Sequence, residues 1–395
     1  MPVLSTDELL RKVCDLRPAV PPPPYPTPMK LMIIDMTVKD RGSSSMVCDF
    51  TCCNEMGNSI HVRCGGYFPS FYVRIPHAGV ARSLTEAMKR MGWNFPTDPV
   101  VVKRHNFIGY RPSSYKDARP SKYTFLRVTT KTQRDMRAIA RSINNGNLTS
   151  ERNVVAMEHT IAPVSKMCSQ YDIHHSSWIM LMKYEQRSLG TDCQLELMTQ
   201  SMNHIRPCKG MVSIPPFVQA SFDIECMGSQ GFPDPHVYED QVFQIGISFQ
   251  RMGQATPDMD VVLCLKETHA PDDCDVWWCD REWDLLDMFA QVMRYADVWV
   301  GYNIFGFDLP YMAERALRMD VMGGSLADMH RTLMSTHWNE TTFYAMEGKG
   351  NRMQTDRCMA GTRQDDMEGM WRAVRAVLDD GRKLRELLFD MYSSS

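Results

Sequence analysis

PPFVQASFDIECMG, residues 215–228, reads as an apolar strand that runs into a Gly/Pro loop over 228–235. Side chains alternate across a strand, so in Phe222-Asp223-Ile224-Glu225 the two carboxylates share one face while Phe222 and Ile224 turn into a core. QVFQIGISFQ (241–250) and DVVLCLKE (260–267) continue the strand pattern. REWDLLDMFAQVMRYA (281–296) has the period of an amphipathic helix, with Trp283, Leu286, Phe289 and Met293 on one side. VWVGYN (298–303) follows as a short buried strand, and LPYMAERALRM (309–319) as a helix with Pro310 in its first turn. Three strands, a helix, a strand and a helix predict an α/β layer across 206–320.

Chemistry concentrates at two points of that layer. Asp223 and Glu225 on one strand face repel one another and raise each other's pKa unless a cation binds. Taken alone, such a D-x-E pair also fits a solvated strand. The second point is GYNIFGFDLPY (301–311), which sets Asp308 at a strand–helix junction, where a carboxylate also suits an N-cap. Asn303, in the same stretch, fits a turn. A strand-borne pair with a third carboxylate at such a junction is what a two-metal site requires, its ions roughly 3.5 to 4 Å apart. Oxygen ligands in this number suit Mg²⁺ or Mn²⁺.

FDIEC (222–226) resembles the first exonuclease motif of B-family DNA polymerases, and GYNIFGFDLPY resembles the second, nearest to the delta-type replicative enzymes. The resemblance implies a ribonuclease-H-like 3′→5′ exonuclease core. Asp223, Glu225 and Asp308 would be its catalytic metal ligands, and Asn303 and Phe307 would position the 3′-terminal nucleotide. It further implies DNA as partner, both a single-stranded 3′ end and a primer-template. A sliding clamp or accessory subunits would be reached through a carboxy-terminal part. The expected location is intracellular, a nucleus in a eukaryotic cell or otherwise a viral replication compartment.

Outward from that core the chain changes character. Residues 1–28 end in a proline cluster that predicts an extended, poorly packed leader, with a boundary at 29. From 30 to 205 the pattern is mixed α+β. LMIIDMTV (31–38) reads as a strand and HVRCGGYFPSFYVRI (61–75) as two more, while 82–93, 133–144 and, more weakly, 153–171 have helical period. IHVRCGGYFPSFYVRIP (60–76) also resembles an early strand pair of the same polymerases.

Charge is divided along the chain, although the net value is only −3. Residues 101–141 hold eleven Lys or Arg against two acids, and 221–320 hold nineteen acids against six Lys or Arg. A basic segment followed by an acidic one suits a protein that grips phosphates in one place and metal ions in another. KRHNFIGYRPSSYKDARPSKYTFLRV (103–128) interleaves bases with aromatics. It fits a single-strand surface with Lys103, Arg104, Arg111 and Lys122 as contacts, and equally a basic hairpin whose aromatics are core.

The opening residues mix acids and bases where a secretory signal would be apolar, and no run is long enough for a membrane span. Thirteen cysteines lack CxxC spacing, which predicts reduced, mostly buried thiols. Past about residue 318 the resemblance is expected to stop. The family's third exonuclease motif, Tyr-x-x-x-Asp, does not occur between 309 and 395, and the polymerase signatures D-x-x-S-L-Y-P and Y-G-D-T-D are absent. Residues 321–395 form an unmatched tail, which truncation, a frameshift or divergence would each produce. Two other readings stand beside a polymerase fragment: a stand-alone exonuclease, and an inactive single-strand-binding or assembly module.

Overall fold

The computed structural model describes residues 3–40, 45–105, 122–149, 151, 154–229, 231–268, 274–304 and 306–318. The tail beyond 318 and most of the basic segment, Arg111 included, lie outside the described residues.

The chain opens on helix α1 (Thr6–Cys14), started by a capping box in which Ser5 and Glu8 satisfy each other's backbone N–H groups. The strands β1 (Met29–Asp40), β2 (Met46–Cys53) and β3 (Ser59–Tyr67) then form an antiparallel run. β4 (Ser70–Arg74), α2 (Ala78–Arg90), β5 (Val100–His105), β6 (Lys122–Thr129), α3 (Gln133–Asn144) and β7 (Val155–Met157) follow, then α4 (Pro163–Tyr171). Next come β8 (Trp178–Leu181), β9 (Glu185–Gln186), β10 (Leu195–Thr199) and β11 (Ile205–Pro207). The acidic part supplies β12 (Val218–Cys226), β13 (Val242–Arg251), β14 (Met259–Leu265), β15 (Asp275–Cys279), α5 (Glu282–Met293), β16 (Val298–Val300) and α6 (Asp308–Arg318).

These strands make three sheets. Seven are ordered β11-β8-β1-β2-β3-β10-β9, four β5-β6-β4-β7, and five β15-β14-β13-β12-β16. In the last, β12, β13 and β14 are antiparallel neighbours and β16 returns parallel to β12. With α5 as the crossover this is a ribonuclease-H-like order, but β15, parallel to β14, is a fourth strand before the helix where the sequence reading had three. The stretch 30–205 folds around two cores, one under the seven-stranded sheet and α4, the other between the four-stranded sheet and α2 with α3. A small apolar cluster of Met32, Cys53 and Trp178 against Phe217 and Met252 joins the seven-stranded sheet to the acidic layer.

The expectation of a poorly packed leader fails at α1. Leu9 and Val13 are buried in the same core as Phe222, Phe289 and Met312. Leu4 N–H donates to Val276 O at 2.8 Å, Lys12 pairs with Asp275, and Arg17 reaches both Tyr295 O and buried Asp297. The prolines begin only at Pro18, past the C-cap Asp15, and do not loosen what precedes them. Leu9→Ala is therefore expected to destabilise the five-stranded layer by about 2–5 kcal/mol, as deletion of a buried Leu does. A thermal melt of the full chain checks this, and an unchanged midpoint would mean the leader is detached in solution.

Trp283 is also corrected. It is more than a third exposed, with Arg281 lying 5.7 Å from its ring centroid, and Leu285, Met288 and Val292 take the core positions on α5 instead. No disulfide joins the described cysteines, and Cys48, Cys52, Cys53 and Cys64 lie buried in β2 and β3, where burial pushes the Cys64 thiol up to about 12. No helix among the described residues is long and apolar enough to cross a membrane.

Candidate functional site

Alternation on β12 holds as the sequence predicts. Phe222 and Ile224 are buried, Phe222 with its ring 5.0 Å from Phe289, while Asp223 and Glu225 are exposed on the opposite face. Across the sheet Asp223 stands opposite Gly246, and Ser221 opposite Ser248, which in turn faces Asp260. Because these neighbours are small, the face is a trough of about 490 Å³, lined by Asp223, Gly246, Ser248, Asp260, Tyr302 and Asn303 among others. Tyr302 stands 73% exposed at its edge.

The β16–α6 turn is packed hard against β12. A Cβ on Gly301 would fall 2.8 Å from the Phe222 carbonyl oxygen, so only glycine lets the turn approach. Asn303 adopts the left-handed backbone region at φ 54°, and its carbonyl accepts the N–H groups of Gly306 and Phe307. This tight loop brings Asp308, only 2% exposed, back to β12, where the Ile224 N–H donates to its Oδ1 at 3.3 Å. Asp308 is more than a helix cap here: its carboxylate meets its own backbone N–H at the start of α6 and also satisfies a strand amide of β12. Burial, reinforced by the Asp223 charge and countered by backbone hydrogen bonds, pushes its carboxyl up to about 6.

The structure therefore brings Asp223 and Asp308 together. Glu225 lies on the same strand face beside a bulge in the β12–β13 ladder, and the three do not close into one metal-sized cluster among the described residues. The donor set is oxygen only, and no ion pair among the described residues neutralises any of the three carboxylates, which fits a hard divalent cation. Phe307 faces the other flank of the turn, its ring 5.4 Å from Phe232 and 5.3 Å from Tyr311.

Sequence reasoning missed Phe232, which projects 82% exposed from the β12–β13 loop. It also missed Arg315, which holds that loop in place. Arg315 donates to Glu282 and to the carbonyls of Pro235, Val237 and Tyr238. Only the arginine in the second half of an otherwise amphipathic helix hinted at a buried ion pair.

The candidate single-strand contacts separate. Lys103 and Arg104 are both exposed on β5 but point to opposite faces of the four-stranded sheet, one beside Thr124 and the other beside Tyr123. Lys122 begins β6.

The family model for the DNA polymerase family B exonuclease domain matches residues 155–368, more than half of the chain. The chain belongs to DNA polymerase family B. The match extends some way past residue 318, further than the sequence motifs alone reach. Among curated relatives, the DNA polymerase delta catalytic subunit of Schizosaccharomyces pombe is 27% identical over 330 residues, covering 79% of this chain and 29% of that protein. That of Bos taurus is 30% identical over 339 residues, covering 79% and 30%. The chain thus spans under a third of the length of these polymerases. A solved family B DNA polymerase from the hyperthermophilic archaeon Pyrobaculum calidifontis aligns over 92% of this chain and 44% of its own, at 19% identity and a TM-score of 0.49.

Proposed function

We propose that this family B chain carries a two-metal 3′→5′ proofreading exonuclease site, with Asp223, Glu225 and Asp308 as the ligands of Mg²⁺ or Mn²⁺. The observation that supports it most is the burial of Asp308 beside Asp223 with no basic partner among the described residues, a repulsion that a divalent cation would relieve. Bound there, the ions supply charge stabilisation of the scissile phosphate and acidify the attacking water. The chain's own residues do the rest. Asn303, at the wall of the trough, and Phe307, on the far side of the turn, hold the 3′-terminal nucleotide of a frayed strand. Phe232 extends the Phe307 ring surface. Leu309 N–H bonding to Ile304 O keeps the turn closed, so Asp308 is held before substrate arrives.

On this reading 1–29 is a leader, 30–205 an amino-terminal domain, 206–320 the exonuclease and 321–395 a tail. DNA is the partner, and a clamp or accessory subunits would bind elsewhere in a longer polymerase, in a nucleus or a viral replication compartment. That the three carboxylates do not close into one metal-sized cluster among the described residues supports a second reading, in which the chain holds single-stranded 3′ ends and excises from them slowly or not at all.

Mg²⁺ or Mn²⁺ should raise the melting temperature of the chain, because a ligand of the folded state stabilises it. Asp223→Ala should abolish the response. An equal shift in the variant would place the ions elsewhere and sink the site.

A further inference from the structure

β12 and β16 carry the two halves of the acidic site, and their pairing sets how those halves stand to one another. Asp223 lies on β12, and Asp308 follows the turn that leaves β16. The strands run parallel, with Gln219 beside Val298, Ala220 beside Trp299 and Ser221 beside Val300. β16 is only three residues long, so the ends of this ladder matter. At one end Gly301 packs against the Phe222 carbonyl. At the other, Asp297 adds a rung of its own: its N–H donates to Val218 O at 2.7 Å, and its Oδ2 accepts the Val218 N–H at 2.8 Å.

Asp297 is held in turn from outside the acidic layer. Its side chain is 1% exposed and that of Arg17 11%. Burial pushes the Asp297 carboxyl up, and the Arg17 charge is the strongest influence opposing it. Arg17 Nη2 donates to Asp297 Oδ1 at 3.1 Å, its Nε to Tyr295 O at 2.8 Å and its Nη1 to Asp192 O at 3.3 Å. The Ser59 hydroxyl, at the head of β3, donates to the same carboxylate. One buried carboxylate thus joins the leader, the seven-stranded sheet and the first rung between β12 and β16. A planar guanidinium bound at three points is a rigid support.

We propose that Arg17 and Asp297 are positioning residues for the carboxylate pair, the leader fixing β12 against β16 and with it the cation affinity of Asp223 and Asp308. This rests on the metal-site reading above. Asp223 is five positions beyond Val218, about 17 Å along the strand, so neither Arg17 nor Asp297 touches the cation. The sign of the effect separates geometry from charge. Removing the Arg17 cation, or stranding Asp297 as an anion, would draw a divalent cation more strongly. Only a loosened strand pairing would weaken its binding, because ligands must be held to within about 0.5 Å.

The test follows Mn²⁺ binding to the full 395-residue chain through the EPR signal of the free ion, far below every melting midpoint. Arg17→Met is expected to weaken binding by about tenfold, as loss of an outer support does at metal sites. Adding Asp297→Asn, which keeps an acceptor for the Val218 N–H without a charge to bury, should recover most of that loss. Leu9→Ala, which loosens the same leader through its apolar face, should leave the affinity that of the parent. Unchanged or tighter binding in Arg17→Met would overturn the proposal. So would an unrecovered loss in the double variant, or an equal loss in Leu9→Ala. Parent binding that survives Asp223→Ala would instead bring down the metal-site reading, and this proposal with it.

Discussion

Arg315→Leu is expected to cost the chain about 3–5 kcal/mol, the usual penalty when one partner of a buried ion pair is removed. Arg315 and Glu282 are both nearly inaccessible to water, and Arg315 Nε donates to Glu282 Oε1 at 2.9 Å. Removing the guanidinium leaves a buried carboxylate whose other partner is the Val242 N–H, and it frees three loop carbonyls at once. For a folded unit of this size such a loss lowers the melting midpoint by roughly 10 °C. Combining Arg315→Leu with Glu282→Leu should recover much of it, since an apolar pair leaves no stranded charge. Calorimetric melts of the two variants check both statements. If the single variant melts with the parent, the ion pair is open to water in solution.

Asp308→Asn should stabilise the metal-free chain near neutral pH while removing its response to Mg²⁺. The Asp308 carboxyl is raised from its ordinary 3.8 to about 6 by burial and by Asp223. A carboxyl whose folded pKa lies above its unfolded one favours folding while protonated. In EDTA its contribution is therefore full below about pH 4 and is lost as pH rises through about 6, on the order of 3 kcal/mol in all. The amide keeps the acceptor for the Ile224 N–H and has no charge to bury. Melts across that pH range should fall for the parent relative to the variant. Parallel curves would show that Asp308 is ionised at no cost, and the case for a cation beside it would weaken.

The acidic layer was legible because its elements obey simple periods. β12 alternates residue by residue from Phe222 to Glu225, and α5 and α6 carry the helical period. α3 falls on the expected residues 133–144 for the same reason. Several strands went unread, and β7 (Val155–Met157) stands where a weak helical period was expected over 153–171, the helix α4 starting only at Pro163. Among the unread ones β2 and β15 are buried almost throughout, so MVCDFTCC and DVWWC show no alternation to detect. In α1 the Ser5–Glu8 capping box was present, but nine residues are too few to outweigh the prolines that follow.

At the candidate site, residue types, spacing and the motif resemblance pointed to Asp223, Glu225 and Asp308. Spacing does not show which hydrogen-bond donor a carboxylate will find, and so Asp308 was open to reading as a cap alone. In the four-stranded sheet the bases and aromatics of 103–128 were legible, but their neighbours on β4 were not. Tyr72 and Arg127 are 55 positions apart in the chain, and only the β4–β6 register makes them neighbours.

The central claim is that the paired carboxylates of β12 and α6 remove nucleotides from a 3′ end. Single-turnover digestion of a single strand labelled at its 3′ terminus, with Mg²⁺ and excess protein, tests it most directly. The account predicts slow, Mg²⁺-dependent release of the terminal mononucleotide, reduced by about a hundredfold or more in Asp223→Ala. Release that persists in Asp223→Ala, or shortening that starts from the 5′ end, would contradict it.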